Sequence, residues 1–407
     1  MAFVSYILVI LAALFAASVA LFLVEVIAAV TLPQRRFAPS PGNDVRHCVA
    51  VLVPAHDESS GLLPTLADIK AQMRIGDRLV VVADNCSDDT AAVAAAAGAE
   101  VVERNDPARR GKGYALARGL DYLRKDAPDI VIVIDADCRL GANAIDRLAT
   151  TCAATHAPVQ ALYLMTAPTD SSINFRVAEF AWRVKNCLRP LGLRALYLPC
   201  QLMGTGMAFP WDVIVSVDVA SRAIVEDLKL GLELALAGNP PMFCPSATVT
   251  STFPSSLEGA RGQRLRWEQG HIGLILTAAP RLIFAAITRA NLDLLALALD
   301  LAVPPLSLLA ALVLVVAGIA AMATVLNFSS TAILISTVSL VGLVVGVFLS
   351  WLKVGRDVLP PGMILLVVPY MMGKLVLYGL MLSRKSASQW TRTDRGKPGR
   401  KETTSIL

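Results

Sequence analysis

The chain has 407 residues, 55% of them hydrophobic, a net charge of +5 and a mean hydropathy of +0.59, which is too apolar for an ordinary soluble protein of this size. The modest charge, with no interleaving of basic and aromatic residues, argues against a nucleic-acid partner. Seven cysteines, an odd number without a Cys-x-x-Cys pair, argue against a disulfide framework or zinc site and for reduced, mostly buried thiols.

The apolar excess sits at the two ends. Residues 3–32 are apolar apart from Glu25 and a few small polar residues, long enough to cross a bilayer. Arg35 and Arg36 follow the run instead of preceding it, which is unlike a signal peptide and, by the positive-inside rule, puts the following domain in the cytoplasm. Residues 1–34 are therefore expected as an N-terminal membrane helix in a multi-pass protein of a bacterial-type inner membrane.

From residue 46 the pattern changes to β-branched runs alternating with Ala-rich helical ones. Residues 48–53, 78–83, 100–103 and 130–134 predict strands, and 61–73, 88–97, 113–124 and 142–153 predict helices. This alternation predicts an α/β domain with a mostly parallel, doubly wound sheet, whose ligands bind beyond the carboxyl ends of the strands. His56, Asp57 and Glu58, then Asp84, then Asp135 and Asp137 all follow such strands. The segment 175–194, rich in Phe, Trp, Leu and basic residues, suits either a helix in the membrane interface or a surface helix packed on the domain.

The domain is expected to span 46–275, with interfacial and membrane helices over 276–383. Two apolar runs, 303–326 and 331–352, predict a hairpin across the membrane with residues 327–330 as its turn, giving about three spans with the N-terminal one. The last apolar stretch, 363–382, carries Pro369, Gly373 and Lys374, which suits a re-entrant segment and keeps the basic tail, 384–407, in the cytosol.

Asp135 and Asp137 are two residues apart, so in an extended segment both carboxylates point to one face, and hard oxygen ligands without His or Cys suit Mg²⁺ or Mn²⁺. An Asp-x-Asp alone also occurs in ordinary turns. The Rossmann oxidoreductases are excluded because no Gly-x-Gly-x-x-Gly follows the first strand.

Taken together the motifs are specific. Val53-Pro54-Ala55-His56-Asp57-Glu58, Asp84-Asn85-Cys86-Ser87-Asp88-Asp89-Thr90 and Gly111-Lys112-Gly113 resemble the nucleotide-binding half of family 2 glycosyltransferases of the GT-A fold. Asp135-Ala136-Asp137, Glu226-Asp227 and Gln263-Arg264-Leu265-Arg266-Trp267 resemble the metal, base and acceptor motifs of its membrane-bound members: cellulose, hyaluronan and poly-N-acetylglucosamine synthases and ceramide glucosyltransferases. The likeness covers about 46–275; Asp57 departs from it, since relatives usually carry Asn there.

The resemblance implies a UDP-sugar donor held by Glu58 and Asp84 at the uridine and by Lys112 and Asp135 at ribose or diphosphate. It implies Asp137 as the ligand of Mg²⁺ or Mn²⁺, Gln263 and Arg266 at the diphosphate, and Trp267 against the acceptor sugar. Gly204-Thr205-Gly206 resembles the acceptor-side loop, and Asp227 the general base of a direct, inverting displacement. Glu226 suits a helix start as well. His271 is expected at the metal or diphosphate, or as a structural histidine. Trp390-Thr391-Arg392 resembles the gating loop of hyaluronan and chitin synthases, without its glycine, and would bring Arg392 over the donor; an unfolded basic tail is the other option. The acceptor is expected to be a lipid or lipid-linked glycan in exopolysaccharide or glycolipid assembly, with a processive, polymer-secreting synthase as the alternative. An inactive accessory subunit would be expected to lack the carboxylates this chain keeps.

Overall fold

The computed structural model describes residues 2–34, 47–168, 172–254, 257–328 and 330–366. Strands form at the β-branched runs: β1 (Val49–Ala55), β2 (Arg78–Asp84), β3 (Glu100–Arg104) and β4 (Ile130–Val133). All their mutual pairings are parallel. Side chains alternate between the two faces of a strand, so Val49, Val51, Val53, Ile130 and Ile132 join one core and Ala50, Leu52, Val131 and Val133 the other. A strand buried on both faces needs unbroken apolar sequence, which is what these segments carry.

Helices α2 (Leu63–Lys70), α3 (Thr90–Ala96) and α5 (Ala144–Thr155) cover the first face through Leu66, Ile69, Ala94, Ile145 and Leu148. Helix α4 (Lys112–Leu123) covers the second through Leu116, Leu120 and Leu123. It lies so close to the sheet at Gly119 that any added Cβ would collide with Leu52.

The second half of the sheet departs from the parallel expectation. Its strands are the two-residue β5 (Arg139–Leu140), β6 (Val159–Thr166), β7 (Met207–Pro210) and β8 (Met242–Thr252). The order is β3-β2-β1-β4-β7-β6-β8-β5, and β7 runs antiparallel to both β4 and β6. The sheet is thus mixed. Pairing of β6 with β8 slips between Ala161 and Leu162, opposite the stretch of β8 that holds Pro245, a residue unable to donate to the ladder.

Two short helices follow, α6 (Ile173–Arg183) and α7 (Arg189–Ala195), joined through a π turn, Val184–Leu188. The segment bridges two cores. Phe175 and Ala178 join the sheet core, while Val177, Phe180, Val184 and Leu188 pack against the helix α1 (Ala2–Thr31). After α8 (Trp211–Ile214) and α9 (Glu226–Leu236), α10 runs unbroken over Leu257–Thr288 and is followed by α11 (Leu292–Ala302), α12 (Leu306–Val325) and α13 (Ser330–Val354).

Among the described residues, four helices are long and apolar enough to cross a membrane: Phe3–Thr31, Leu265–Thr288, Leu306–Val325 and Ser330–Val354. The second was not among the three expected spans, because its motif-bearing first half reads as part of the globular domain. One face of α10 packs on α9 and α11 through Ala279, Leu282 and Ala286, and the other leaves Leu276, Phe284 and Ile287 bare. Helices α1, α12 and α13 share an apolar core. Gly346 lets α13 close on α1, since a Cβ there would stand 2.7 Å from the Phe22 ring. Apart from a 3₁₀ turn at Pro361–Leu366, the expected re-entrant stretch and the basic tail, with Trp390 and Arg392, lie outside the described residues.

An ionic cluster fastens α1 to the domain. Arg189 of α7 donates through Nε to Glu25 Oε2 at 2.5 Å and through Nη2 to Asp300 Oδ1 at 2.5 Å, and all three side chains are buried. Burying one ion alone is costly, and the three satisfy one another.

Candidate active site

The loops after β1, β2 and β4 converge on a cleft of about 300 Å³. Asp57 and Asn85 take the left-handed backbone conformation (φ 52° and 53°), which Asx residues tolerate better than most. The Asp57 carboxylate accepts the Ser87 amide at 2.6 Å. An acceptor is all that position needs, so Asp serves in place of Asn. His56 Nδ1 donates to the Asp84 carbonyl at 2.7 Å, and Glu58 hangs from a turn whose amides point to Thr90 Oγ1.

Asp84 receives Arg104 Nη1 at 2.5 Å and Asn85 Nδ2 at 2.9 Å, both on Oδ1. The Arg104 guanidinium in turn lies over the Tyr114 ring, 5.4 Å from its centroid. Arg104 was not singled out in the sequence, although its place at the end of the strand next to β2 was a usable signal.

Lys112 opens α4 behind Gly111, whose φ of 135° suits glycine. Its ammonium donates to the Gly204 carbonyl at 2.6 Å and pairs with Asp135. Burial alone would lower the Lys112 pKa; Asp135, Glu226 and Asp227 outweigh it and hold the value above the ordinary lysine range.

Asp135, Asp137 and Cys138 offer ligand atoms within 4.8 Å of one another. Burial, with Asp137 and Asp135 beside it, pushes the Cys138 thiol well up, so it stays protonated and is a poor ligand. The two carboxylates are the donor set that fits a hard divalent cation.

Glu226 and Asp227 form the first turn of α9. Burial raises both: Glu226 is lifted further by Asp227, while Lys112 and Lys185 partly offset the rise of Asp227. A Cβ added to Gly204 would stand 3.4 Å from Asp227 Oδ2, so the glycine leaves open the space beside that carboxylate.

Two expectations are corrected here. Only Gly204 of the Gly204-Thr205-Gly206 loop lines the cleft; Thr205 and Gly206 are buried. Thr205 Oγ1 accepts the Asp135 amide at 3.0 Å, and its carbonyl accepts from the buried Gln160 at 2.9 Å, so Thr205 shapes the site from below. Gly206 sits where a Cβ would stand 2.7 Å from that of Ala161. His271 does not join the carboxylate cluster. Its Nε2 donates to the Leu301 carbonyl at 3.0 Å, which removes that nitrogen as a metal ligand.

Gln263, Arg266 and Trp267 of α10 reach the same cleft as Glu58, Asp84, Lys112, Asp135, Asp137 and Asp227. Trp267 packs on Trp182 with centroids 5.2 Å apart and planes at 40°; Trp182 stands edge-on to Tyr163 at 5.5 Å. Trp182 and Lys185 also border the cleft, with Gln160 buried beneath it, and all three went unmarked in the sequence, because nothing local tells a core aromatic or amide from one near a cleft.

The cleft lies beyond the carboxyl ends of the parallel strands of a mixed α/β sheet, with paired carboxylates and two buried acids in its lining, which is where enzymes of this sheet class carry their sites. The chain belongs to the glycosyltransferase-like family 2, whose model matches residues 46–270. Uncharacterized glycosyltransferases of Mycobacterium bovis and Mycobacterium tuberculosis are 40% identical over 100 residues, 25% of this chain and 41% of each relative. The match therefore spans under half the length of those relatives. Among solved structures, the mannosyltransferase of Pyrobaculum calidifontis in complex with GDP-Man and Mn²⁺ superposes with a TM-score of 0.52 at 20% identity, over 85% of this chain and 99% of that one. At that identity the likeness shows the fold alone.

Proposed function

We propose that the protein is an inverting, metal-dependent transferase that moves a sugar from a UDP-sugar to a lipid or lipid-linked acceptor in exopolysaccharide or glycolipid assembly. The observation that carries this reading is the position of Asp227: a carboxylate with a raised pKa, in the same cleft as the Asp135–Asp137 pair, beside the space left by Gly204.

In this reading Asp84 and Glu58 hold the uridine, while Lys112, Gln263 and Arg266 face the diphosphate. Asp227 accepts the proton of the acceptor hydroxyl as that oxygen bonds to the anomeric carbon and the bond to the diphosphate breaks. One displacement with one base inverts the configuration. A divalent cation held by Asp135 and Asp137, of the kind present in the Pyrobaculum mannosyltransferase structure, would supply positive charge to the leaving diphosphate. Lys112 and Arg266 add cationic charge on the same side, and Trp267 offers an aromatic face to the acceptor sugar.

The lipid-acceptor form is favoured over a polymer-secreting one by the core shared by α1, α12 and α13, which is filled with apolar side chains such as Phe22, Leu309 and Leu343. The four apolar helices, with Arg35 and Arg36 just after the first, support an inner-membrane protein with a cytoplasmic catalytic domain. Closure by the tail through Trp390 and Arg392 belongs to this reading on sequence grounds.

The test is incubation of the purified protein with Mn²⁺, a panel of UDP- and GDP-sugars and extracted membrane lipid, with the product identified by mass and its anomeric configuration by NMR. A lipid-linked sugar of inverted configuration made from a UDP donor is expected. A long polymer, a retained configuration or use of GDP donors alone would overturn the respective element.

A further inference from the structure

A second cavity, about 110 Å³, adjoins the cleft on the side of the apolar helices. Its near wall is shared with the cleft and consists of Trp182, Lys185, Gln263, Trp267 and His271. The rest of its lining is mostly apolar, with Phe22 of α1, Val177 and Val184 of the bridge, and Val303, Leu306 and Leu309 around the start of α12, and with Arg189 and Glu268 as its charged members. The two spaces are thus neighbours across a single layer of side chains, one polar and leading to Asp227, the other oily and leading towards the membrane helices.

Two groups in the shared wall bear on what the junction can hold. Lys185 holds its ammonium 5.7 Å from the centroid of the Trp182 ring and has no ion pair or hydrogen bond among the described residues. Lys112, in the same cleft, is paired with Asp135 and bonded to Gly204. A half-buried ammonium held over an aromatic ring, with no hydrogen bond of its own, is placed to take an anion as a partner. His271 is buried, its Nε2 donates to the Leu301 carbonyl, and its Nδ1 has no partner. With the proton on Nε2, Nδ1 is a lone pair that can accept from a hydroxyl.

We propose that this junction seats an anionic amphiphile, with its anion at Lys185, a headgroup hydroxyl at His271 Nδ1 and the first methylenes of its chain in the apolar cavity. The inference rests on the lipid-acceptor reading above and narrows it: the acceptor is a lipid whose headgroup carries both a negative charge and free hydroxyls. A neutral glycolipid offers the Lys185 ammonium no direct ion pair. A polysaccharide leaves the oily wall without a partner. An acceptor of the stated kind answers the cation, the lone pair and the apolar wall together, with a second hydroxyl free to approach Asp227.

The test uses binding without turnover, so that it can fail separately from the transferase reading. The full chain in amphipol is titrated calorimetrically, without donor, with dihexanoyl-phosphatidylglycerol, dihexanoyl-phosphatidylcholine and glycerol 3-phosphate. Phosphatidylglycerol is expected to bind at least tenfold more tightly than either of the others. Lys185→Gln should abolish its advantage over phosphatidylcholine, and Lys185→Arg should keep most of it. Ala181→Phe, or Val177→Phe as a second filling variant, both at positions that line the apolar cavity, should weaken both lipids and leave glycerol 3-phosphate unchanged. UDP affinity, measured on every variant, reports an intact domain and should not move. Equal binding of the two lipids by the wild type, or undiminished lipid binding in both filled variants, overturns the proposal. A parallel loss of UDP affinity in Lys185→Gln also overturns it, because Lys185 then serves the donor diphosphate.

Discussion

Arg104, the last residue of β3, donates from Nη1 to Oδ1 of Asp84, the last residue of β2, at 2.5 Å, and the two are paired in the sheet register. Both side chains are about one-tenth exposed (11% and 10%), so water competes little for the bond. With Oδ1 taken by Arg104 and Asn85, Oδ2 is the oxygen that the proposed uridine contact would use. A hydrogen bond to a charged group contributes about 1.5–3 kcal/mol, roughly a factor of ten to a hundred. Arg104→Gln should weaken UDP binding by about that factor with a much smaller change in kcat. Calorimetric titration with UDP checks it; unchanged affinity would show that Asp84 is oriented by something else.

Asp137 and Asp227 should part company on substitution. Asp227→Asn is expected to lose about two to four decades of rate, the usual range for a positioned base, yet bind UDP and Mn²⁺ as before. Asp137→Asn should lose turnover together with the part of UDP affinity that depends on Mn²⁺. Titrations with and without the metal separate the two. If UDP affinity fell in Asp227→Asn as far as rate, Asp227 would belong to the donor site.

The parallel half of the sheet and the carboxylates at its strand ends were legible because both are local. Buried parallel strands must be continuous apolar runs, and the polar residues closing them stand out against that background. The antiparallel half was not, because β7 has four residues and ends in Pro210, and β8 is broken by Pro245. The Glu25–Arg189–Asp300 cluster joins residues 164 and 111 positions apart, which no local pattern announces. Thr205 looked like part of an acceptor loop because its glycine neighbours suggested open space; only the fold shows its hydroxyl turned inward to Asp135.

That inward turn makes Thr205 testable as a positioning residue. Thr205→Val keeps the volume and removes the acceptor for the Asp135 amide, leaving a buried N–H unsatisfied at a cost of about 1–3 kcal/mol. Thermal stability and activity should both fall, with KM for the metal rising as the loop shifts, and Thr205→Ser should restore both. A Thr205→Ser variant as impaired as Thr205→Val would point to lost methyl packing instead.

Arg189→Met should be strongly destabilising, because it leaves Glu25 and Asp300 buried with no cation between them. Breaking such a cluster at one member costs about 3–5 kcal/mol, whereas replacing all its charges is often neutral. The triple variant Glu25→Gln, Arg189→Met, Asp300→Asn should therefore recover much of the thermal stability of the purified protein. A triple variant no more stable than Arg189→Met would show that the hydrogen-bond geometry, and not the unbalanced charge, holds α1 to the domain.

The pH dependence follows from the same carboxylates that open α9. Burial raises Asp227 and Glu226, while Lys112 and Lys185 pull Asp227 back towards the ionised form. A carboxyl raised on folding favours the protonated fold. The stability it contributes is fully present below its unfolded value of about 4 and is lost as pH rises through the raised folded value. Activity has the opposite sign, since the base works only when ionised. The kcat/KM profile should rise with pH through an inflection above the ordinary aspartate value of about 3.9. Lys185→Gln should move that inflection further up by removing a cation. Glu226→Gln should leave a single acid step where the pair gives two, because the titration of interacting carboxyls belongs to the pair. An inflection at or below the ordinary value, unmoved by Lys185→Gln, would remove Asp227 from the role of base.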